Sequence, residues 1–489
     1  MEQPILAGFY PDPSVCRVGD DFYLVNSSFE YLPGVPVHTS RDLVQWRQIG
    51  HVFESLEQLD LSAARSSGGV FAPTIRHHDG MFYMITTDIG TMTEGHVIAH
   101  ATDPAGPWSV PVRVETITGI DPDLFWDVDG TCHVTGLGFG APGMSGIVSA
   151  PIDPLTGALL GPVRMLWQGT GLANPEGPHV YRIGDWYYCL LAEGGTERGH
   201  CVTIARAASL AGPWEACPHN PVLSHRSTAH PVQNTGHADL VEMADGSWAM
   251  VFLGVRPRGI TPHFHVNGRE TFVAGITWVD GWPVVDEQRF TVPGARHDFA
   301  DDFGTWPLHP RWISARGVHL AAVGPAADGG CLVRPVDAEG PTMCVRARDN
   351  GWITEAAFAD GDAALQVYLA SGYWAEVRVE AGAAVAELCV ANVRVELGRQ
   401  SLPSPVLALR ATAIDIVPDS PFSVSAPDEI VLSACTADGV HELGRFDGRL
   451  LSTEVAGGFT GRMIGVRALG APVRLTSFTY APQPSTPAT

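Results

Sequence analysis

The sequence predicts an all-β protein that begins with a five-bladed β-propeller. The 489 residues include 54 glycines and 38 prolines, a composition typical of many short strands separated by turns. A weak internal repeat places an Asp-Gly-type turn before an aromatic strand. The repeat occupies residues 18–23, 78–83, 128–133, 183–188 and 244–249. Five units, whose equivalent positions lie 50 to 62 residues apart, have the length of propeller blades. Those positions are Phe22, Phe82, Cys132, Trp186 and Trp248.

A second series of motifs precedes each turn by 10 or 11 residues. This position of the five units is occupied by Asp12, Ala72, Asp121, Glu176 and His237. The first strand of each propeller blade lines the central channel, so we expect these side chains to converge at one mouth. Asp-Pro and Glu-Gly-Pro are also ordinary turn sequences. Three acids in register across the repeats nevertheless indicate a functional site.

Three converging carboxyl groups indicate glycoside hydrolysis. One carboxylic acid protonates the leaving oxygen, and a carboxylate activates water or attacks the sugar. A third carboxylate raises the pKa of the most desolvated acid and keeps it protonated. Asp123 would share a strand face with Asp121 if the strand were regular, which makes it a rival for that role. A hard-ligand metal site formed by the same acids and His237 is the alternative chemistry.

Composition excludes several other classes of function. All 30 basic residues are arginine, and against 53 acidic residues they give a net charge of −23, which repels nucleic acid and anionic membranes. The lack of lysine excludes Schiff-base chemistry and a P-loop. Nine cysteines without a C-x-x-C motif predict mostly buried free thiols in a reducing compartment. The sequence shows no signal peptide and no long apolar run, so we expect a cytoplasmic protein. We expect its partner to be a small oligosaccharide substrate. Assembly into a homo-oligomer is an open alternative.

The motifs of the first 290 residues resemble glycoside hydrolase family 43, the β-xylosidase and α-L-arabinofuranosidase group. They begin with Gly-Phe-Tyr-Pro-Asp-Pro-Ser at 8–14 and continue at 19–23, 28–34, 120–122, 176–179, 192–196, 236–237 and 268–271. The resemblance implies an inverting mechanism. In that mechanism Asp12 is the general base, Asp121 tunes the pKa of the acid and orients it, and Glu176 is the general acid.

The resemblance also implies a set of substrate-binding residues. Arg269 would hold sugar hydroxyls, Phe29 and Phe71 would form apolar subsite walls, and Thr196 would be a hydrogen-bonding wall residue. Their structural alternatives are a surface salt bridge, core packing and a strand end, respectively. No cofactor is expected to be required. A Ca²⁺ ion near His237 is one alternative. The other is a neutral, hydrogen-bonded His237 without a metal, because calcium prefers oxygen ligands.

A second domain is expected after the propeller. Alternating apolar stretches at 364–369, 374–379 and 393–397 predict half-buried strands. Residues 301–303 and 310–312 resemble the start of the family's concanavalin-like (jelly-roll) β-sandwich. We therefore expect a catalytic propeller over 1–295, a β-sandwich over 299–480 and, from its prolines, a disordered tail over 481–489. The sandwich is either a carbohydrate-binding module or, as in related enzymes, lends a loop to the active-site rim.

The second-unit motif bears on the choice of substrate. Residues 71–74 read Phe-Ala-Pro-Thr, where many xylosidase relatives have Trp-Ala-Pro-Asp. The departure alters the pocket where the identity of the pentose would be read. Phe-Ala-Pro-Thr resembles the branch of the family in which arabinofuranosidases are frequent, which favours α-L-arabinofuranosyl over β-D-xylosyl as the sugar released. We expect an exo-acting, inverting hydrolase of hemicellulose-derived oligosaccharides. A main activity as β-xylosidase and a non-catalytic carbohydrate-binding protein are the alternatives.

Overall fold

The computed structural model describes residues 2–115, 117–139, 146–359, 361–402, 404–417, 425–483 and 486–487. The protein is nearly all-β, with 51% strand and 4% helix. The chain forms two compact units. The first unit comprises Met1–Leu6, Tyr10–Val255 and Glu270–Pro293. The second comprises Ala7–Phe9, Arg256–Arg269 and Gly294–Thr489.

The first unit contains five four-stranded antiparallel sheets that follow one another along the chain. Its strands are β1 (Ser14–Val18), β2 (Asp21–Val25), β3 (Tyr31–Leu32), β4 (Gly34–Ser40), β5 (Arg47–Phe53), β6 (Thr74–His78), β7 (Met81–Thr86), β8 (His96–Ala101), β9 (Val112–Val114), β10 (Gly119–Trp126), β11 (Cys132–Gly138), β12 (Gly146–Pro151), β13 (Arg164–Trp167), β14 (Glu176–Ile183), β15 (Trp186–Glu193), β16 (Cys201–Ala207), β17 (Glu215–Ala216), β18 (Gln233–Glu242), β19 (Trp248–Val255), β20 (Glu270–Val279) and β21 (Trp282–Asp286). The sheets are β1-β2-β4-β5, β6 to β9, β10 to β13, β14 to β17 and β18 to β21. A 3₁₀ helix spans Ile89–Glu94.

The predicted repeat coincides with this architecture. Each of the five repeated turns connects the first strand of a sheet to the second. At the second of them, Asp79 and Gly80 have φ values of 48° and 79°. Positive φ at both central residues is what a two-residue type I′ hairpin turn requires, and Asp-Gly adopts it readily. The prediction of five repeated β units is confirmed.

Buried apolar side chains fill the space between consecutive sheets. The clusters pair Val37 with Met84, Ile85 with Val134, Ile147 with Leu191, Leu190 with Phe252, and Val251 with Leu24. They join the first sheet to the second and so on along the chain, and the last joins the fifth sheet back to the first. The first strands β1, β6, β10, β14 and β18 likewise contact one another in sequence, and β18 also contacts β1.

The second unit contains a nine-stranded and a six-stranded sheet. Its strands are β22 (Phe299–Asp301), β23 (Ser314–Ala315), β24 (Val323–Pro325), β25 (Cys331–Val333), β26 (Met343–Arg346), β27 (Trp352–Phe358), β28 (Ala363–Ala370), β29 (Tyr373–Glu380), β30 (Ala383–Val390), β31 (Val393–Ser401), β32 (Ala408–Val417), β33 (Asp428–Thr436), β34 (Gly439–Asp447), β35 (Met463–Ala468), β36 (Val473–Pro482) and β37 (Thr486–Pro487). The larger sheet runs β24-β25-β36-β27-β32-β33-β34, with β22 on β36 and β37 on β32. The smaller runs β26-β35-β28-β29-β30-β31. One core, which includes Trp352, Phe478, Leu365 and Ile464, draws side chains from both sheets.

The described helices of the second unit are α1 (His319–Ala322), α2 (Thr453–Ala456) and a 3₁₀ turn over Gly448–Leu451. The helices in the described part of the chain have only four to six residues, so none of them provides a membrane-spanning segment. All nine cysteines are free, and only Cys435 is not fully buried. The prediction of mostly buried free thiols is confirmed.

Two segments inside the predicted first domain, 7–9 and 256–269, belong to the second unit. The Phe9 carbonyl accepts a hydrogen bond of 2.7 Å from Arg346 Nε. Arg258 pairs with Asp415 and donates to the Pro427 carbonyl at 2.8 Å. These polar contacts join residues far apart in the chain, and the predicted boundary of 1–295 therefore does not follow the division into units.

The predicted disordered tail also differs from the structure. Residues 481 and 482 continue β36 opposite Ile353 and Trp352. Thr486–Pro487 forms β37, which pairs in parallel with β32. Strand pairing satisfies the backbone of these residues despite their proline content. Residues 484, 485, 488 and 489 of this tail lie outside the described residues.

Candidate active site

The residues selected by the repeat lie at the start of first strands. Asp12 stands two residues before β1, and Asp121 is the third residue of β10. Glu176 is the first residue of β14, and His237 lies within β18. These first strands contact one another, so the four residues occupy equivalent places in four neighbouring sheets of the first unit.

The backbone is irregular at each of these positions. Asp12, Asp121 and His237 have φ values of 52°, 56° and 46°. In the fourth sheet the left-handed residue is Gly177, with φ 57°, directly after Glu176. The strand registers shift here in β10, β14 and β18. A bulge interrupts the regular alternation of side chains and re-aims one of them, which is common beside active sites.

Two contacts connect Glu176, Asp121 and His237. The Gly177 amide donates a hydrogen bond of 3.1 Å to Asp121 Oδ2, so the Asp121 carboxylate fixes the backbone next to Glu176. A Cβ atom at Gly177 would lie 3.0 Å from His237 Nε2. The imidazole therefore packs against the Glu176–Gly177 backbone, and only glycine leaves room for it.

His237 also connects this group to Asp12. Its Nδ1 lies 3.6 Å from Asp12 Oδ1, and the Ser27 hydroxyl donates a hydrogen bond of 2.6 Å to Asp12 Oδ2. Asp12 and Asp121 are 5% and 7% exposed, whereas Glu176 is half-buried. The structure thus connects the three predicted acids and His237 through these contacts, and Glu176 is the most exposed of the three acidic residues.

Asp123 has a different environment from its predicted rival Asp121. Its side chain is fully buried, and Oδ1 lies 2.8 Å from Arg76. Oδ2 accepts a hydrogen bond of 2.9 Å from the Val180 amide. The register of β10 shifts between Ile120 and Asp123, so the two aspartates do not share one regular strand face. Asp123 is therefore engaged in a buried ion pair.

A buried ionic layer lies next to the candidate site. Arg76 Nη1 is 2.8 Å from Asp239 Oδ2, and this carboxylate also accepts hydrogen bonds from Ser14 at 2.7 Å and Tyr181 at 2.5 Å. Burial alone would raise the pKa of Asp239. The Arg76 charge and His179 outweigh this effect and hold that pKa well below its usual range.

The sequence did contain a signal for this ionic layer. Ser14, Asp123 and Asp239 each follow a selected site position by two residues, on the first, third and fifth sheets. Only Asp123 was singled out from the sequence, and only as a rival catalytic acid. Arg76 was missed because it lies between Ile75 and His77, and no local motif indicates its acidic partners.

The two phenylalanines predicted as subsite walls touch each other. Their rings meet edge to face, with centroids 5.3 Å apart. Phe29 is 1% exposed and exchanges two backbone hydrogen bonds with Val70, of 2.9 and 3.0 Å. Phe71 is half-buried. Phe29 thus packs in the interior behind Phe71, and a sugar contact would involve the exposed part of Phe71.

Thr196 and Arg269 are the remaining residues that were predicted to bind the substrate. Thr196 is half-buried in a bend after β15. Arg269 belongs to the second unit, where its guanidinium lies 5.4 Å from the centre of the Phe459 ring. Arg269 is 8% exposed, so its side chain is not a surface one. Sugar binding by Thr196 and Arg269 stays a prediction.

Calcium near His237 stays a prediction. Calcium takes about six to eight oxygen ligands. Within the described ranges, no group of three ligating His, Cys, Asp or Glu side chains includes His237. The imidazole lies beside the Asp12 carboxylate, with Nδ1 3.6 Å from Oδ1.

Comparison with known proteins places these features in a family context. The sequence profile of Glycosyl hydrolases family 43 matches residues 1–283. The chain is 46% identical over 295 residues to a xylosidase/arabinosidase of Butyrivibrio fibrisolvens, an alignment of 58% of this chain and 56% of that protein. It is 47% identical over 290 residues to a non-reducing end alpha-L-arabinofuranosidase of Bacteroides ovatus, covering 58% and 53%. The chain thus matches about half the length of these relatives.

The whole fold also has a solved counterpart. The structure described as Bacteroides ovatus Xyloglucan PUL GH43B aligns with a TM-score of 0.85 and 32% identity. The alignment covers 99% of this chain and 100% of that one.

Proposed function

The chain belongs to glycosyl hydrolases family 43, and from this premise we propose that it is an exo-acting, inverting hydrolase that releases a terminal pentose from hemicellulose-derived oligosaccharides. The observation that carries the proposal is the grouping of Asp12, Asp121 and Glu176 at the start of three first strands. Xylosidase and arabinosidase activities appear in the names of the two relatives, which supports a pentose as the sugar released.

The proposed scaffold is a five-bladed propeller followed by a β-sandwich. Five consecutive four-stranded sheets, with packing that returns from the fifth to the first, support the propeller. Two sheets that share one apolar core support the sandwich. In a propeller the first strands surround the central channel, which is where the three acids would meet the sugar.

The proposed roles follow from the environment of each acid. Glu176 is the general acid, because it is the most exposed of the three and can reach the leaving oxygen. Asp121 positions it by accepting the Gly177 amide hydrogen bond. Asp12 is the general base that removes a proton from water, and His237 and Ser27 orient its carboxylate. The water then attacks the anomeric carbon while the bond to the leaving oxygen breaks.

Inversion is supported by the origin of the two reacting groups. Asp12 and Glu176 come from the first and the fourth sheet, so they approach the substrate from separate elements. Inverting enzymes hold these carboxyls about 6.5–9.5 Å apart, which leaves room for water, whereas retaining enzymes hold them about 5–5.5 Å apart.

We propose α-L-arabinofuranosides as the preferred substrates, with β-D-xylosides second. The Phe-Ala-Pro-Thr sequence at 71–74 supports this order, because Phe71 offers a smaller apolar wall than tryptophan. We further propose a reducing compartment, supported by nine free cysteines. The net charge of −23 supports a neutral sugar rather than a nucleic acid as the ligand.

A hydrolysis panel tests this function. The chain is assayed on 4-nitrophenyl α-L-arabinofuranoside, β-D-xyloside and α-D-arabinofuranoside, and we expect the fastest turnover on the first. The Asp12→Asn and Glu176→Gln variants, purified in the same way, show whether the activity belongs to this chain. No turnover on any substrate, together with measurable binding to xylan, would instead support a carbohydrate-binding protein.

A further inference from the structure

Three metal-ligating side chains meet in the first unit outside the candidate active site. His225 and His230 belong to the segment between β17 and β18, and Glu287 directly follows β21. One potential ligand atom from each residue lies within 4.8 Å of the other two. Among the described residues, this is the single group of three or more ligating side chains with that spacing.

The hydrogen bonds of His225 fix which nitrogen faces the cluster. Nδ1 lies 2.8 Å from the Val232 carbonyl, which can only accept, so Nδ1 carries the proton. In the neutral ring, Nε2 then presents its lone pair to Glu287, whose two carboxylate oxygens each lie 3.0 Å away. The contact between Nε2 and the carboxylate is satisfied either by a second ring proton, which makes a His–Glu ion pair, or by a metal ion between the two groups. Donation of the other ring nitrogen to a backbone carbonyl is typical of metal-ligating histidines.

Glu287 supplies an anionic ligand with spare capacity. Its Oε2 is buried and receives no well-oriented hydrogen bond from the part of the chain that the structure describes.

His230 supplies the second imidazole. Its ring centroid lies 3.9 Å from that of His225, a distance at which two positively charged imidazolium rings would repel each other. The Gln233 amide also anchors this segment, because it donates a hydrogen bond of 2.7 Å to the His230 carbonyl.

We propose that His225, His230 and Glu287 bind a divalent transition-metal ion, for which Zn²⁺ is the best match. Two imidazoles and one carboxylate suit zinc, cobalt or nickel, whereas calcium and magnesium prefer sites built from oxygen. Ligand bonds of about 2.0–2.2 Å place tetrahedral ligand atoms roughly 3.3–3.6 Å apart. Binding would therefore widen the 3.0 Å separation between His225 Nε2 and the Glu287 carboxylate by a few tenths of an ångström. Water completes the coordination.

The ion would tie the β17–β18 connection to the end of the fifth sheet. It would stabilise the folded chain by mass action without taking part in glycoside hydrolysis. None of its ligands belongs to the group around Asp12, so a test of metal binding is independent of a test of the proposed function.

Metal binding to the EDTA-treated full chain is the test. Zn²⁺ is titrated in competition with a chromophoric chelator, and Co²⁺ is followed by its visible absorption. We expect one tight equivalent of Zn²⁺, tetrahedral Co²⁺ bands and a higher Tm with Zn²⁺. His230→Ala and Glu287→Gln should each weaken binding by at least about tenfold and abolish the Tm increase. His219→Ala, which removes an exposed histidine from a turn after β17, is the matched control and should behave like the original chain.

Two results would overturn the proposal. One is the absence of a bound equivalent in the original chain. The other is binding that persists in both ligand variants, which would identify adventitious binding to other histidines. If His230→Ala fails to fold, the nearly isosteric Glu287→Gln decides, because its melting curve in EDTA reports on folding independently of metal.

Discussion

Replacement of Arg76 by methionine tests whether the buried ionic layer holds the first strands together. Arg76 is the cation that faces both Asp123 and Asp239, and the two carboxylates have no exposed surface. Methionine retains much of the apolar volume but removes the charge and the hydrogen bonds. Two buried carboxylates are then left without their shared partner, and the first, second, third and fifth sheets lose a common contact.

The expected loss is about 3–5 kcal/mol in the free energy of unfolding, the usual cost of removing one partner from a buried ion pair. The matched control is Arg41→Met, which breaks the exposed pair with Asp21, whose side chains are 78% and 36% exposed. That change should cost less than about 1 kcal/mol. Urea unfolding of both variants, followed by tryptophan fluorescence, measures the difference.

The pH dependence distinguishes charge from packing. Asp239 has a lowered pKa in the folded protein, so its pairing stabilises the fold above its unfolded pKa of about 4 and is lost as the pH falls through the folded value. Without Arg76, burial raises the pKa of Asp239, and protonation relieves the unpaired charge at low pH. The deficit of Arg76→Met should therefore be largest near pH 7 and shrink towards pH 4. A deficit below about 1 kcal/mol, or one independent of pH, would refute the role assigned to this layer.

Three further outcomes are expected. Glu176→Ala should lower kcat/KM for natural oligosaccharides by about 10²–10⁴-fold but should affect nitrophenyl glycosides far less, whereas Asp12→Ala should impair hydrolysis of both substrates alike. Equal losses for Glu176→Ala on the two substrates would contradict its assignment as the general acid. Proton NMR in the first minutes of the reaction should show the sugar released with inverted anomeric configuration, and early release of the retained anomer would make Asp12 a nucleophile. Burial lowers the pKa of His96 to about 4, so about 3 kcal/mol of stability should be lost as the pH falls from about 6.5 to 4. His96→Asn should flatten this part of the pH profile of unfolding, and an unchanged slope would contradict the origin assigned to it.

The elements that could be predicted from sequence are those with local causes. The Asp79-Gly80 turn needs only two residues that accept positive φ, and a glycine at positive φ recurs in each of the other four turns. Once the turns are aligned, a constant offset of 10 or 11 residues selects Asp12, Asp121 and Glu176. The grouping of these acids then follows from repetition, because equivalent positions of equivalent sheets come together.

What escaped prediction depends on distant partners. Arg76 and Asp239 are separated by 163 residues, and nothing around Arg76 indicates an acidic partner. The segment 256–269 looks like a continuation of the fifth sheet, yet Arg258 pairs with Asp415 in the second unit. The prolines after 481 suggest disorder, whereas pairing with β27 and β32 satisfies the backbone there. In each case a long-range polar contact outweighs the local signal.

The bulged first strands explain how acids with different tasks lie so close along the chain. On β10, Asp121 and Asp123 are separated by one residue, and in a regular strand both carboxylates would face the same side. The register shift instead directs Asp121 to the Gly177 amide and Asp123 to Arg76. Pairing with Arg76 compensates for the burial of Asp123, so its charge need not be solvated by water. Asp121 is then available for the role proposed for it beside Glu176, and the left-handed backbone at Asp121 is part of the cost of separating the two environments.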